Sequence, residues 1–319
     1  MSLTGPLFSL GHDEDGQDKA LEVRMLELRL FHHFVTESQT FDYPGKSFVE
    51  ANMRALALQC PCLMDAALAI AATRLRRQHP GDPSIVAASH AYMARSISQQ
   101  TTRLRSGISK SNFELLYMTS ILIGSHSIVH RQFAVEDAKS LAGVVQWFRA
   151  FRGVRAITHA APTYFAESGL ANAFPPGGWQ YPSVGDDVPE DRSLVLSGLS
   201  FVLDDFYSSS SQDTRAGTTS TAFEAYHHAL AYISHIYRSP SRAAHTTFLL
   251  EARPAFVHGV EKCDPTALVI VGIYLALAVL VEPVPDMDAA AQKDLELIMR
   301  SLPTNYGVIL FRALLVVAR

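Results

Sequence analysis

Cysteine is scarce in this 319-residue chain: Cys60, Cys62 and Cys263 are the three. Three thiols cannot build a disulfide framework, and one C-x-C with a remote partner matches no structural zinc spacing, so a reducing, intracellular setting is expected. Basic charge is also scarce. Lys and Arg number 27, six of them lysine, against 31 Asp and Glu, for a formal charge of -4. That balance lacks the electrostatic footprint of a nucleic-acid surface, and no direct nucleic-acid binding by this chain is expected. Long apolar runs are missing too. The most apolar stretch, residues 266–281, has 16 residues, short of the roughly 20 that cross a bilayer, and it reads as a helix buried on all sides. Residues 1–18 are polar, with no charged start followed by an apolar run, so they are expected to be a disordered N-terminal segment and not a signal peptide. Finally, no G-x-G-x-x-G, G-x-x-x-x-G-K-[ST], H-E-x-x-H or G-x-S-x-G occurs, and the expectation is no cofactor and no metal.

What remains is helix-forming sequence. Hydrophobic residues make up 48% of the chain and the mean hydropathy is +0.10, enough for a large core. Apolar residues recur at i, i+3, i+4 and i+7, whereas period-2 alternation between turn signals is rare. The fold class expected is all-α, a single large helical domain of about ten to twelve helices with an apolar interior cavity, spanning 19–319. The pattern predicts helices over 19–38, 48–59, 61–79, 83–105, 111–130, 133–151, 192–207, 220–238, 265–281, 287–301 and 306–319. In the first, Leu21, Met25, Leu28, Phe31, His32 and Val35 are expected to face the core. Pro61 and Pro83 suit first-turn positions, and Asp82 or Ser84 is placed to cap. A Pro/Gly-rich loop over 162–190 joins two helical halves, and 208–221 (SSSSQDTRAGTTST) reads as a polar linker. Gly124 and Gly143 lie inside helical patterns, where glycine costs about 1 kcal/mol relative to alanine, which close helix contact or a ligand would justify.

Few residues carry chemistry. Asp65 lies in the apolar run CLMDAALAIAA, so its carboxylate needs a partner, either Arg74 or another base, unless it faces a ligand. His32, His33, His126 and His130 lie on or beside apolar helices and are the imidazoles available for acid–base work. His227, His228 and His235 share helix faces without metal-ligand spacing, and helix-surface histidines are the plainer reading. Asp204 and Asp205 resemble the start of a magnesium–diphosphate motif and are weak metal candidates, because no second acidic motif faces them.

Five runs then stand together: MLELRLFHHFVTES, LALQCPCLMDAALAIAATRLR, FELLYMTSILIGSHSIV, WFRAFRGVRAI and CDPTALVIVGIYLALAVLV. In order and approximate spacing, from residue 21 to the C-terminus, they resemble the C-terminal regulatory domain of fungal binuclear zinc-cluster transcription factors, in particular the sterol-uptake-control group. The resemblance implies an all-α domain that binds a sterol, isoprenoid or polyketide, forms a homodimer, and acts in the nucleus or cytoplasm. The family's six-cysteine DNA-binding cluster has no counterpart among these residues. The partner expected is therefore a hydrophobic small molecule, held in an apolar cavity lined by Phe31, Phe34, Tyr117, Met118, Ile121, Trp147 and Tyr274 beside Asp65, and rimmed by residues 174–181. The alternative is a cofactor-independent cyclase, isomerase or dehydratase of fungal secondary metabolism on the same scaffold, with Asp65 or one of His32, His33, His126 and His130 as its acid or base.

Overall fold

Proline and polar caps set where the helices begin. Pro61, Pro83, Pro162 and Pro254 each open a helix at its first turn, where a missing N–H costs nothing. Asp82 caps the fourth helix by accepting from the Ser84 backbone N–H at 2.9 Å and the Ser84 hydroxyl at 2.6 Å. That helix ends before Gly107, which takes a φ of +95°, a left-handed conformation that glycine adopts without strain.

The computed structural model describes residues 14–37, 46–133, 141–168, 170, 198–204, 216–238, 242–280 and 288–318. Among them are thirteen α-helices and no strand, so the fold is all-α and a single helical domain. The helices are α1 (Glu14–Glu37), α2 (Lys46–Gln59), α3 (Pro61–Gln78), α4 (Pro83–Arg105), α5 (Phe113–Arg131), α6 (Ala142–Ala160) and α7 (Pro162–Glu167). After the 3-10 turn Ser200–Val202 come α8 (Ala216–Arg238), α9 (Arg242–Glu251), α10 (Pro254–Glu261), α11 (Pro265–Leu280), α12 (Asp288–Ser301) and α13 (Thr304–Val317).

Several boundaries differ from the sequence expectation. Helix α1 begins at Glu14, inside the segment expected to be disordered, and α7 occupies the start of the expected 162–190 loop. Helices α9 and α10 fall where no helix was expected, because they are short and interrupted by Pro254. Of the helix expected over 192–207, only 198–204 is described, and it holds the 3-10 turn.

The buried face of α1 is also shifted from the expected one, with Phe31 and Val35 partly buried against the core as expected. Leu30, His33 and Phe34 are buried, whereas Leu21, Met25 and Leu28 are 59%, 58% and 63% exposed and His32 is exposed as well. Both stripes have helical spacing, and only the docking of α1 on α3 chooses between them.

In the first half, α3 is the central helix, packed by α1, α2, α4 and α5. Ala66, Ala67, Ala69, Ala71 and Ala72 are all buried, and these small side chains let neighbouring backbones approach. Helix α5 then pairs with α6, where a Cβ at Gly124 would sit 3.2 Å from the Ala150 carbonyl and 3.3 Å from the Phe151 ring. Close helix contact therefore accounts for that glycine.

The second half is built round α11, buried from Thr266 to Ala278 and contacted by α8, α10, α12 and α13. Helix α6 joins the halves through α9 and α10, where Phe148, Phe248 and Phe256 meet with ring centroids 5.7–6.0 Å apart. A polar tie reinforces this seam. Arg131 on α5 forms a buried ion pair with Asp294 on α12, and the Trp147 indole on α6 donates to the same carboxylate at 2.6 Å. Among the described residues no single helix is long and apolar enough to cross a membrane.

Candidate ligand-binding cleft

The polar side chains buried in the first half form chains between helices. Thr73 on α3 donates its one proton to the Ala69 carbonyl at 2.9 Å, so the Ser89 hydroxyl on α4, 2.6 Å away, must donate to Thr73. Ser89 in turn lies 3.1 Å from His126 Nε2 on α5, and with its proton already placed it accepts from an Nε2–H. The Nε2–H tautomer of His126 is the one that satisfies both hydroxyls in this order. Burial, reinforced by His130 and His90, pushes its pKa down to about 3, and it stays uncharged at neutral pH.

His126 is the floor of a cleft of about 370 Å³ between α4, α5 and the start of α6, lined by His90, His126, Ser127, His130, Arg131, Ala142, Gly143 and Gln146. His90 stands exposed at its mouth, with its ring centroid 5.0 Å from that of His130, while His126 stacks on His130 at 5.6 Å. His130 sits between them, and its buried Nε2 has no hydrogen-bond partner. Burial first, then the nearby His90 and Arg76, hold its pKa below the usual imidazole range. Gly143 belongs to the same arrangement, since a Cβ there would fall 1.8 Å from the Arg131 guanidinium carbon. The glycine makes room for Arg131 to reach Asp294.

Of the residues expected to act, His126 and His130 come together here, and the others lie elsewhere. Asp65 pairs with Arg95 on α4, Oδ1 to Nη2 at 2.7 Å and Oδ2 to Nε at 3.3 Å, and also accepts from Gln99 at 3.2 Å. Arg74 could not serve, being nine residues and about 13.5 Å further along the same helix. Arg95 also lies over the Tyr92 ring at 4.6 Å, and the Tyr92 hydroxyl donates to Glu27 at 3.1 Å, so this carboxylate holds α1, α3 and α4 together. His32 is exposed on α1 and His33 is buried on its core face. His227 is buried and His235 exposed, both on α8.

None of Phe31, Phe34, Tyr117, Met118, Ile121, Trp147 and Tyr274 lines the cleft. They belong to the packed core. Tyr117 sits against Phe113 and Phe165, and Tyr274 against Phe248 at 4.6 Å while donating to the His245 carbonyl at 3.1 Å. Phe31 and Ile121 are partly buried against that core, and Phe34 and Met118 are within it. The cleft is bordered by imidazoles, an arginine and an amide together with Ala142 and Gly143. The expected rim, 174–181, lies outside the described residues, as does Asp205, while Asp204 is exposed after the 3-10 turn. Among the described residues no group of three His, Cys, Asp or Glu is placed to hold a metal ion.

Sequence reasoning named His126 and His130 but missed His90 and Gln146. They join the cleft through the packing register of α4 and α6 against α5, which no periodicity within one helix reveals.

Comparison with known proteins adds a direction. No family model matches the chain. It is similar to a protein of Gibberella zeae described as a Zn(2)-C6 fungal-type transcription factor, 29% identical over 285 residues that take in 80% of this chain and 54% of that protein. The chain spans about half the length of this curated relative.

Proposed function

We propose that this chain is the ligand-sensing regulatory region of a fungal transcription regulator, its output set by a hydrophobic metabolite of the sterol, isoprenoid or polyketide type. The observation that carries the reading is the match to the Zn(2)-C6 fungal-type transcription factor over most of this chain. The helical architecture agrees with it. So does the chemistry of the polar residues: Asp65 is occupied by Arg95, and His126 donates to Ser89 when a base for a serine nucleophile would have to accept. Such a protein works in the nucleus. Two apolar stripes left exposed, Leu21, Met25 and Leu28 on α1 and Val308, Phe311 and Leu315 on α13, support pairing with a second copy.

The test is a reporter gene in a filamentous fungus, driven by this chain fused to an unrelated DNA-binding module. The expected result is output that depends on the fused chain and changes when ergosterol or an extract of the fungus's own lipids is supplied. A fusion whose output equals that of the DNA-binding module alone, under every supplement, would contradict the reading.

A further inference from the structure

We infer that the cleft between α4, α5 and α6 is a binding site for a small carboxylate, with His130 Nε2 as the central hydrogen-bond donor. The site is judged by direct binding and does not depend on the transcriptional role.

Three observations converge on it. First, there is space with polar groups on its border: about 370 Å³, within the usual range for small-molecule sites, where three imidazoles, Ser127, Arg131 and Gln146 stand beside Ala142 and Gly143. Second, the border of the cleft includes an unpartnered imidazole nitrogen. His126 has its Nε2–H committed to Ser89, and Arg131 is committed to Asp294, but the buried Nε2 of His130 has no partner, a deficit a ligand oxygen would remove.

Third, the described residues around the cleft favour negative charge. The amino-terminal end of the 19-residue helix α6, the positive end of its dipole, faces the cleft through Ala142, Gly143 and Gln146. Arg76 lies close enough to His130 to oppose its protonation, and Lys293 extends along α12 to the Arg131 carbonyl at 3.3 Å. Asp294, the buried acid beside the cleft, is balanced by Arg131. A carboxylate would be held by His130 and Gln146, in charge-assisted hydrogen bonds stronger than neutral ones. The flat walls offered by the His126 and His130 rings and by Gly143 suit a planar group on the acid.

Benzoate and its uncharged isostere benzamide are the probes, titrated calorimetrically at pH 7 into the whole chain and into two variants. Gln146 is exposed near the start of α6, so Gln146→Glu leaves the fold intact while placing a repelling charge in the cleft. Benzoate should bind the parent at least about tenfold more tightly than benzamide, and His130→Ala and Gln146→Glu should each weaken benzoate by about tenfold or more. No heat with millimolar benzoate, equal affinity for benzamide, or unchanged benzoate binding by a folded Gln146→Glu would each overturn the site. If His130→Ala fails to fold by circular dichroism, the Gln146→Glu comparison decides alone.

Discussion

The two halves of the domain solve helix packing differently. Around α3, α4 and α5 the helices are tied by polar chains that cross from one to the next: Thr73 to Ser89 to His126, Asp65 to Arg95, and Gln100 to the Leu116 carbonyl and Ser120. Around α11 the contacts are aliphatic and aromatic, with Phe248, Phe256 and Tyr274 buried and α11 apolar on every side. Directional contacts in the first half fix where each helix sits and leave a shaped, polar gap. Non-directional packing in the second holds the helices by shape alone, and Tyr274, expected to line a ligand cavity, is buried there against Phe248. The lesson is that in this fold a site is found where polar groups are buried in chains, at the point where a chain stops short of a partner.

The strongest way to break the contrast is at the joint between halves. Asp294→Ala would leave the Arg131 cation and the Trp147 N–H buried without their acceptor, and a loss of about 4 kcal/mol in urea denaturation is expected. The pair Arg131→Met with Asp294→Leu should recover part of that loss, since it removes both charges and leaves the Trp147 N–H without its acceptor.

Next comes the apolar half. Phe256→Ala, at a side chain with no exposure and rings on three sides, should cost about 3 kcal/mol. In the polar half Ser89→Ala should cost about 2 kcal/mol, less than the aromatic deletion. The loss there comes from orphaning the His126 N–H and not from a void.

Acid sharpens the comparison further. His126 has its pKa pushed down to about 3, and His228 and His245 to about 4, in each case chiefly by burial. Because the unfolded chain binds these protons near pH 6.5 and the folded chain does not, stability is full above that pH and falls as the solution is acidified towards 4. Each buried histidine contributes a slope of up to about 1.4 kcal/mol per pH unit. His245 has neither ring nitrogen hydrogen-bonded and lies against Tyr274. His245→Leu should therefore keep stability at pH 7 within about 1 kcal/mol and flatten the acid slope by one proton's share, measured as urea midpoints from pH 7 to 4.5.

The fold was largely legible in the sequence because helical periodicity is a local property: α2, α3, α4, α11, α12 and α13 lie within a few residues of their expected spans. Where the pattern was ambiguous, only the tertiary structure could choose. The two stripes of α1 are equivalent by spacing, and the short helices α7, α9 and α10 are hidden by the prolines that begin or interrupt them. The site was legible in part. Gly143 signalled a close approach, which is that of Arg131, and His126 and His130 were visible as an i, i+4 pair. Asp65 in its apolar run signalled a basic partner, but which base could not be read, because Arg95 lies 30 residues away on another helix. The direction of the His126 proton is set by Thr73 and Ser89, two further helices' worth of register.

The central contrast, a first half tied by polar chains that holds the site and a second half packed round the apolar α11, is tested most directly by imidazole NMR of the 15N-labelled chain at pH 7 as benzoate is added. The account predicts that His126 resonates as the neutral Nε2–H tautomer, that His130 and His126 shift progressively with saturation, and that His245 beside Tyr274 does not move. A His126 protonated at Nδ1, or benzoate shifts that appear at His245 and leave His130 unchanged, would contradict it.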